Sequence, residues 1–191
     1  MFYRPEDGHG LPRNPLPAVV SPRPIGWIST RAASGDNLAP FSYFNAVSNE
    51  PPIVMFSGGP GADSVANALE SGVYAVNIVE RAAWEAMNAT SALVDRGVDE
   101  FALAGIPRAE CTTIDCPRVD GAPATLECRV IRDLVLPGGY TVVFGQVTGV
   151  HLRDDCLREG RFDVTTYQPV ARLGYLDYAF VEQVFPLKRP G

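Results

Sequence analysis

Two long runs of alternating residues, 125–136 and 140–152, meet at Pro137-Gly138-Gly139, and this junction constrains the fold more than any other feature of the chain. A strand turns successive side chains to opposite faces, and a glycine pair accepts the backbone of a tight antiparallel turn. In the second run Tyr140, Val142, Phe144, Gln146 and Thr148 alternate with Thr141, Val143, Gly145, Val147 and Gly149. Two glycines on one face predict close approach there by another backbone or a ligand. The same pairing occurs earlier. Residues 24–33 read as a strand, with Ile25, Trp27 and Ser29 on one face and Gly26, Ile28 and Thr30 on the other. Ser34-Gly35-Asp36 has turn chemistry, and residues 37–47, rich in aromatics, read as a second strand. Residues 52–57 form a short, wholly apolar strand suited to the middle of a sheet, and residues 73–79 add another.

Helices are few and short. Residues 63–71 form the best candidate: Asp63 or Ser64 as cap, Val65, Ala68 and Leu69 as an apolar stripe, and Gly72 as the stop. Residues 80–90 and 99–104 are weaker ones, and residues 171–185 read as strand or loop. Five prolines within the first 23 residues predict an extended arm, with residues 1–15 lying outside a single domain of residues 16–191. Strands adjacent in sequence, rather than alternating with helices, predict a mainly β protein built on an antiparallel barrel.

Composition removes several function classes. The net charge of -6 disfavours nucleic acid as a partner, and no apolar run approaches the roughly 18 residues that a membrane span needs. The first ten residues carry Arg4, Glu6 and Asp7 without an apolar stretch, so no signal peptide is expected and the cytoplasm is the expected compartment. Cys111, Cys116, Cys128 and Cys156 contain no C-x-x-C pair, and only His9 and His151 are present, so neither a metal site nor a histidine-based triad is expected. His151 reads either as a half-buried strand histidine or as part of a ligand site. Gly58-Gly59-Pro60-Gly61 lacks the Lys-Ser/Thr ending of a nucleotide phosphate loop.

The early strands are unusual in their polar content. Ser29, Thr30, Ser42, Asn45 and Ser48 are set among Trp27, Phe41, Tyr43 and Phe44. Buried hydroxyls and amides each need a partner. One reading is a flat heteroaromatic ligand, walled by rings and met at its edge by polar groups. The other is an edge strand with ordinary surface residues, which would also suit Pro40 with its missing N–H.

The segments Pro22-Arg23-Pro24-Ile25-Gly26-Trp27-Ile28-Ser29-Thr30, Asn37-Leu38-Ala39-Pro40-Phe41-Ser42-Tyr43-Phe44-Asn45 and Pro51-Pro52-Ile53-Val54 resemble the signature of the flavin reductase-like, FMN-binding split-barrel family. Asp63-Ser64, Asn67, Met87-Asn88-Ala89-Thr90-Ser91, Glu100-Phe101, Phe144-Gly145-Gln146-Val147, Arg172-Leu173-Gly174 and Tyr178 continue the resemblance. It implies an antiparallel split β-barrel with a few short helices, forming a homodimer with FMN near the subunit interface. Carried onto matching positions, Ser29, Thr30, Ala39, Pro40, Phe41, Ser42 and Asn45 would line the isoalloxazine and ribityl region, with Trp27 and Phe44 as aromatic neighbours. Ser57, Ser64 and Asn67 would lie near the phosphate, where a helix start offers free N–H groups.

The chain departs from the family at Ala62, where a lysine is common. Arg23 is the first candidate to replace that cation and Arg31 the second, the alternative for Arg23 being a surface ion pair. The implied activity is transfer of reducing equivalents from NADH or NADPH through flavin to an acceptor, with FAD as an alternative flavin and a monooxygenase as a candidate partner. No protein acid or base is required, and His151 would shape the nicotinamide site. Three rivals are a flavin carrier without nicotinamide activity, a pyridoxamine-phosphate-oxidase-like enzyme, which so acidic a chain fits less well, and a plain structural β-barrel with no ligand.

Overall fold

The turn at Pro137-Gly138-Gly139 forms as its sequence dictates, with both glycines left-handed at φ 84° and 81°. The computed structural model describes residues 1–191. Its strands are β1 (Arg23–Pro24), β2 (Gly26–Ala32), β3 (Gly35–Phe41), β4 (Phe44–Asn49), β5 (Pro52–Gly58), β6 (Val73–Ile78), β7 (Arg108–Glu110), β8 (Pro117–Val119), β9 (Ala124–Val135), β10 (Thr141–Leu152), β11 (Leu157–Arg158), β12 (Arg161–Phe162), β13 (Val170–Arg172) and β14 (Tyr178–Phe180). Its helices are α1 (Leu16–Val19), α2 (Asp63–Ser71), α3 (Trp84–Ala89) and α4 (Glu100–Leu103). None is long and apolar enough to cross a membrane.

Seven strands make one antiparallel sheet in the order β3-β2-β6-β9-β10-β5-β4. Its two edge strands, β3 and β4, follow one another in the chain with only Ser42 and Tyr43 between them. So short a link holds the two edges of the sheet together, and the sheet must curl into a barrel. No ladder joins β3 to β4. The Ser57 amide, donating to the Tyr43 carbonyl at 2.8 Å, continues the β4–β5 pairing into the bend, and the ring of Phe41 on β3 meets that of Phe56 on β5, 5.1 Å apart. This is the split of a split barrel, and the fold is the mainly β architecture the sequence implies.

The barrel interior holds Ile28, Phe44, Phe56, Tyr74, Val76 and Val143, with Val65 and Ala68 of α2 inserted among them. Helix α2 thus plugs the barrel, and Gly58 lets it sit close, because a Cβ there would strike Val65 and Ala62. On the other face of β2 and β3, Ile25, Trp27 and Leu38 pack with Met87 of α3, Phe101 of α4 and Val119 of β8. The alternation along β2 therefore serves two cores, which is why it is buried on both faces.

Several expectations need correction. The single strand expected over 37–47 is two, broken at Ser42 because the chain must leave β2 and join β5. The expected cap residues do not cap α2: Ala62 occupies that position and makes no side-chain bond. Residues 80–90 divide into a 3-10 turn at Arg81–Ala83 and α3. The proline-rich start contains a 3-10 turn and α1 rather than a fully extended arm. The space beside Gly145 and Gly149 is filled by side chains of this chain rather than by backbone: the Tyr74 hydroxyl and the Glu127 carboxylate. Residues 171–185, read as strand or loop, contain β14 and most of β13, whereas the hairpin β7-β8 has no clear sequence signal.

Candidate functional site

Strand β3 is an edge strand, so alternate amides face away from β2. One of them, Leu38 N–H, donates to Glu100 Oε2 at 3.0 Å. Two residues on stands Pro40, which has no N–H to leave unpaired. The open edge therefore carries no orphaned donor at Pro40, and a groove runs along it.

The groove has two parts that share Pro40 and Ser91. The first, about 430 Å³, lies between β1, the Ser42–Tyr43 bend, the loop after α3, and β13 with its following turn. Its lining includes Arg23, Ser42, Tyr43, Asn88, Arg172 and Tyr178. The second, about 240 Å³, follows Ala39 and Phe41 to the first turn of α2 at Gly61–Ser64, with Thr90–Val94 opposite. At that end α2 has no side-chain cap, and the amides of Asp63 and Ser64 have no partner within the chain. Such a helix start favours an anion.

A buried polar network fixes the floor beneath this end. Ser64 Oγ donates to Asn37 Oδ1 at 2.7 Å, and Asn37 Nδ2 donates to Glu100 Oε1 at 2.9 Å. Asn67 Nδ2 donates to Thr30 Oγ1 at 3.3 Å, and its Oδ1 accepts from Arg96 Nη2 at 3.2 Å. Arg96 also lies 3.5 Å from Asp63 Oδ1, which places a half-exposed cation beside the start of α2.

Of the residues singled out in the sequence, the groove brings together Arg23, Ala39, Pro40, Phe41, Ser42 and Ser64. Thr30 and Asn67 lie below its surface, in the network just described. Trp27 is buried on the far side, but its Nε1 donates to Thr90 Oγ1 at 2.9 Å and so holds the opposite wall. Ser29 is fully buried; its hydroxyl donates to the Pro117 carbonyl at 2.7 Å and accepts from Asn77 Nδ2 at 3.0 Å. Phe44 lies in the barrel core, and Asn45 is exposed, its Oδ1 accepting from the next amide. Ser57 is half-buried on β5 and lines neither part.

His151 is also outside the groove. Its Nε2 meets Glu127 Oε1 at 2.5 Å, and Glu127, fully buried, accepts further bonds from the Thr112 and Thr113 amides and the Thr113 hydroxyl. Burial alone would raise this carboxyl, but those bonds outweigh it and pull its pKa down to about 2. Neither expected stand-in for a cation at Ala62 reaches the start of α2, Arg23 lying in the other part of the groove. Arg23 donates to the carbonyls of Pro17, Val20 and Leu173. Arg31 is held by Asp36, Glu110 and Asp115. The sequence reading missed Arg96, which only the fold brings to α2, and gave Arg172 no role in the site.

Comparison with known proteins identifies the family. Residues 20–180 match the family model of the flavin reductase like domain. A curated but uncharacterized protein of Deinococcus radiodurans is 35% identical, over 83% of this chain and 75% of its own length. Among solved structures, 2-nitrobenzoate 2-nitroreductase of Pseudomonas fluorescens superposes with a TM-score of 0.84 at 28% identity, covering 92% of this chain and 88% of that one. Nitrilotriacetate monooxygenase component B of Bacillus cereus gives 0.85 at 28% identity, covering 94% and 100%. The chain therefore belongs to the flavin reductase-like family, with that family's split-barrel fold.

Proposed function

We propose that the protein binds FMN along the β3 groove and acts as an NAD(P)H-dependent flavin reductase. The observation that carries this reading is the continuity of the groove, from the cleft beside Ser42, past Ala39 and Phe41, to the uncapped start of α2. The residues present fit a flavin mononucleotide. Ala39, Pro40 and Phe41 offer an apolar wall for a planar ring, Ser42 and Ser91 offer polar contacts at its edge, and the Asp63 and Ser64 amides offer donors for a phosphate. Arg96, paired with Asp63 and Glu70 beside the start of α2, is the cation that would turn to the phosphate in place of a lysine at position 62.

When bound, the flavin supplies the capacity to take up a hydride and release electrons. The protein's part is to bind, orient and exclude water. The network of Thr30, Asn37, Ser64, Asn67 and Glu100 holds the groove floor in one arrangement, so that little ordering remains on binding. The Trp27–Thr90 bond fixes the opposite wall. No side chain of the groove is assigned a proton transfer.

A homodimer is part of the proposal. Val47 on β4, Ile131, Leu134 and Val135 on β9, and Tyr140 are each exposed, and apolar side chains left in solvent on these strands favour association with a second copy. The likeness to a monooxygenase component supports a partner monooxygenase as one acceptor.

Titration of the purified protein with FMN should quench flavin fluorescence at a fixed stoichiometry, and NADH or NADPH should then bleach the visible absorption of the bound flavin. Binding without bleaching would make the protein a flavin carrier. Failure to bind would remove the reading.

A further inference from the structure

The larger part of the groove has an electrostatic character that flavin binding does not require. Arg23 and Arg172 line it, and no Asp or Glu does. Neither arginine forms a salt bridge, nor does Arg13 nearby, in a chain whose net charge is -6. Each of the three instead rests against a tyrosine ring: Arg23 on Tyr43 at 5.8 Å, Arg172 on Tyr178 at 4.5 Å, and Arg13 on Tyr175 at 5.8 Å. Tyr43, Tyr175 and Tyr178 all line the cleft.

Arg23 is more than nine-tenths buried, and its Nε has no hydrogen-bond partner. Its other nitrogens donate to neutral carbonyls, which orient the charge but do not cancel it. Arg172 donates to one carbonyl, that of Tyr175. A guanidinium held by its face on an aromatic ring keeps its edge donors available, and that edge matches a carboxylate in two parallel hydrogen bonds. A buried positive charge without a counter-ion is costly unless one arrives.

The geometry points to this cleft as a binding site for a small aromatic carboxylate, its anion met by Arg172 in the field of Arg23 and its ring set among Tyr43, Tyr175 and Tyr178. The cleft volume, about 430 Å³, is that of a small-molecule pocket. Its place at the flavin's exposed edge rests on the proposed function, because Pro40 and Ser42 belong to both. The anion site itself stands on the arginines and tyrosines alone.

Benzoate and its neutral isostere benzamide separate the charge from the ring. Calorimetric titration of the full chain, with and without saturating FMN, should show benzoate binding at least about tenfold tighter than benzamide. Arg172→Met should bring the two within about threefold of each other, and Arg172→Lys should restore part of the preference. Equal affinity for the pair, no benzoate binding, an unchanged preference in Arg172→Met, or displacement of FMN by benzoate would each overturn the proposal. The wild-type comparison decides the matter even where a variant fails to fold. FMN uptake without benzoate binding sinks this proposal alone. A benzoate preference without FMN uptake sinks the flavin reading and leaves the anion site standing.

Discussion

Ser29 shows how a polar side chain in a signature segment can be structural. Its hydroxyl joins β2 to the Pro117 carbonyl and to Asn77, whose Oδ1 in turn accepts from Val119 N–H at 2.9 Å and the Thr125 hydroxyl at 3.0 Å. Removing it strands buried groups, at a cost of about 1–3 kcal/mol. Ser29→Ala should therefore lower the melting temperature while leaving FMN affinity unchanged, as thermal melts and flavin titration will show. Arg96→Ala should do the reverse: flavin binding weakened roughly tenfold, with the largest effect at low salt, and stability nearly intact because the side chain is half exposed. Gly145 gives a third case. Any Cβ there overlaps Tyr74, so Gly145→Ala should destabilise by about 1–3 kcal/mol. Tyr74→Phe, which deletes a buried hydroxyl without a hydrogen-bond partner, should be neutral or stabilising by chemical denaturation.

Among the elements, β9 and β10 carry the buried acid that ties the barrel to the 111–116 turn. With its pKa held near 2, below the ordinary 4.5, Glu127 stabilises the fold fully above about pH 4.5. That contribution, up to about 3 kcal/mol, is lost as pH falls toward 2. Glu127→Gln should flatten the acid limb of a stability-versus-pH curve in that window. The elements also show what a sequence can disclose. The β9–β10 hairpin and α2 were legible because each is specified locally, by period, turn glycines and stop signals. The break at Ser42 was not, since it answers to barrel closure rather than to any local preference. The groove followed the same division. Phe41 and Ser42 stand out by their mixture of rings and hydroxyls and line the groove, Ala39 and Pro40 are placed in the site only by the family resemblance, and Ser29 and Phe44 share the composition of the first pair but face a core. His151 looked poised because its partner Glu127, across a strand pairing, is invisible in a linear reading.

For the molecule as a whole, the exposed apolar residues of β4 and the hairpin set the expected assembly. Light scattering should give about twice the chain mass of 20.6 kDa. Leu134→Glu combined with Val135→Lys should yield a folded monomer with weakened flavin binding, if the second copy completes the groove. A monomeric wild type would remove the dimer from the proposal.

The bend at Ser42–Tyr43 works as a clasp. It is the chain's shortest tether between the two margins of the sheet, and Ser42 and Tyr43 are at the same time walls of the cleft. Clasp and binding surface cannot be adjusted separately. Lengthening the bend by a glycine would slacken the cylinder and move the cleft wall in one stroke, so ligand affinity and barrel integrity are bound to drift together as this stretch changes.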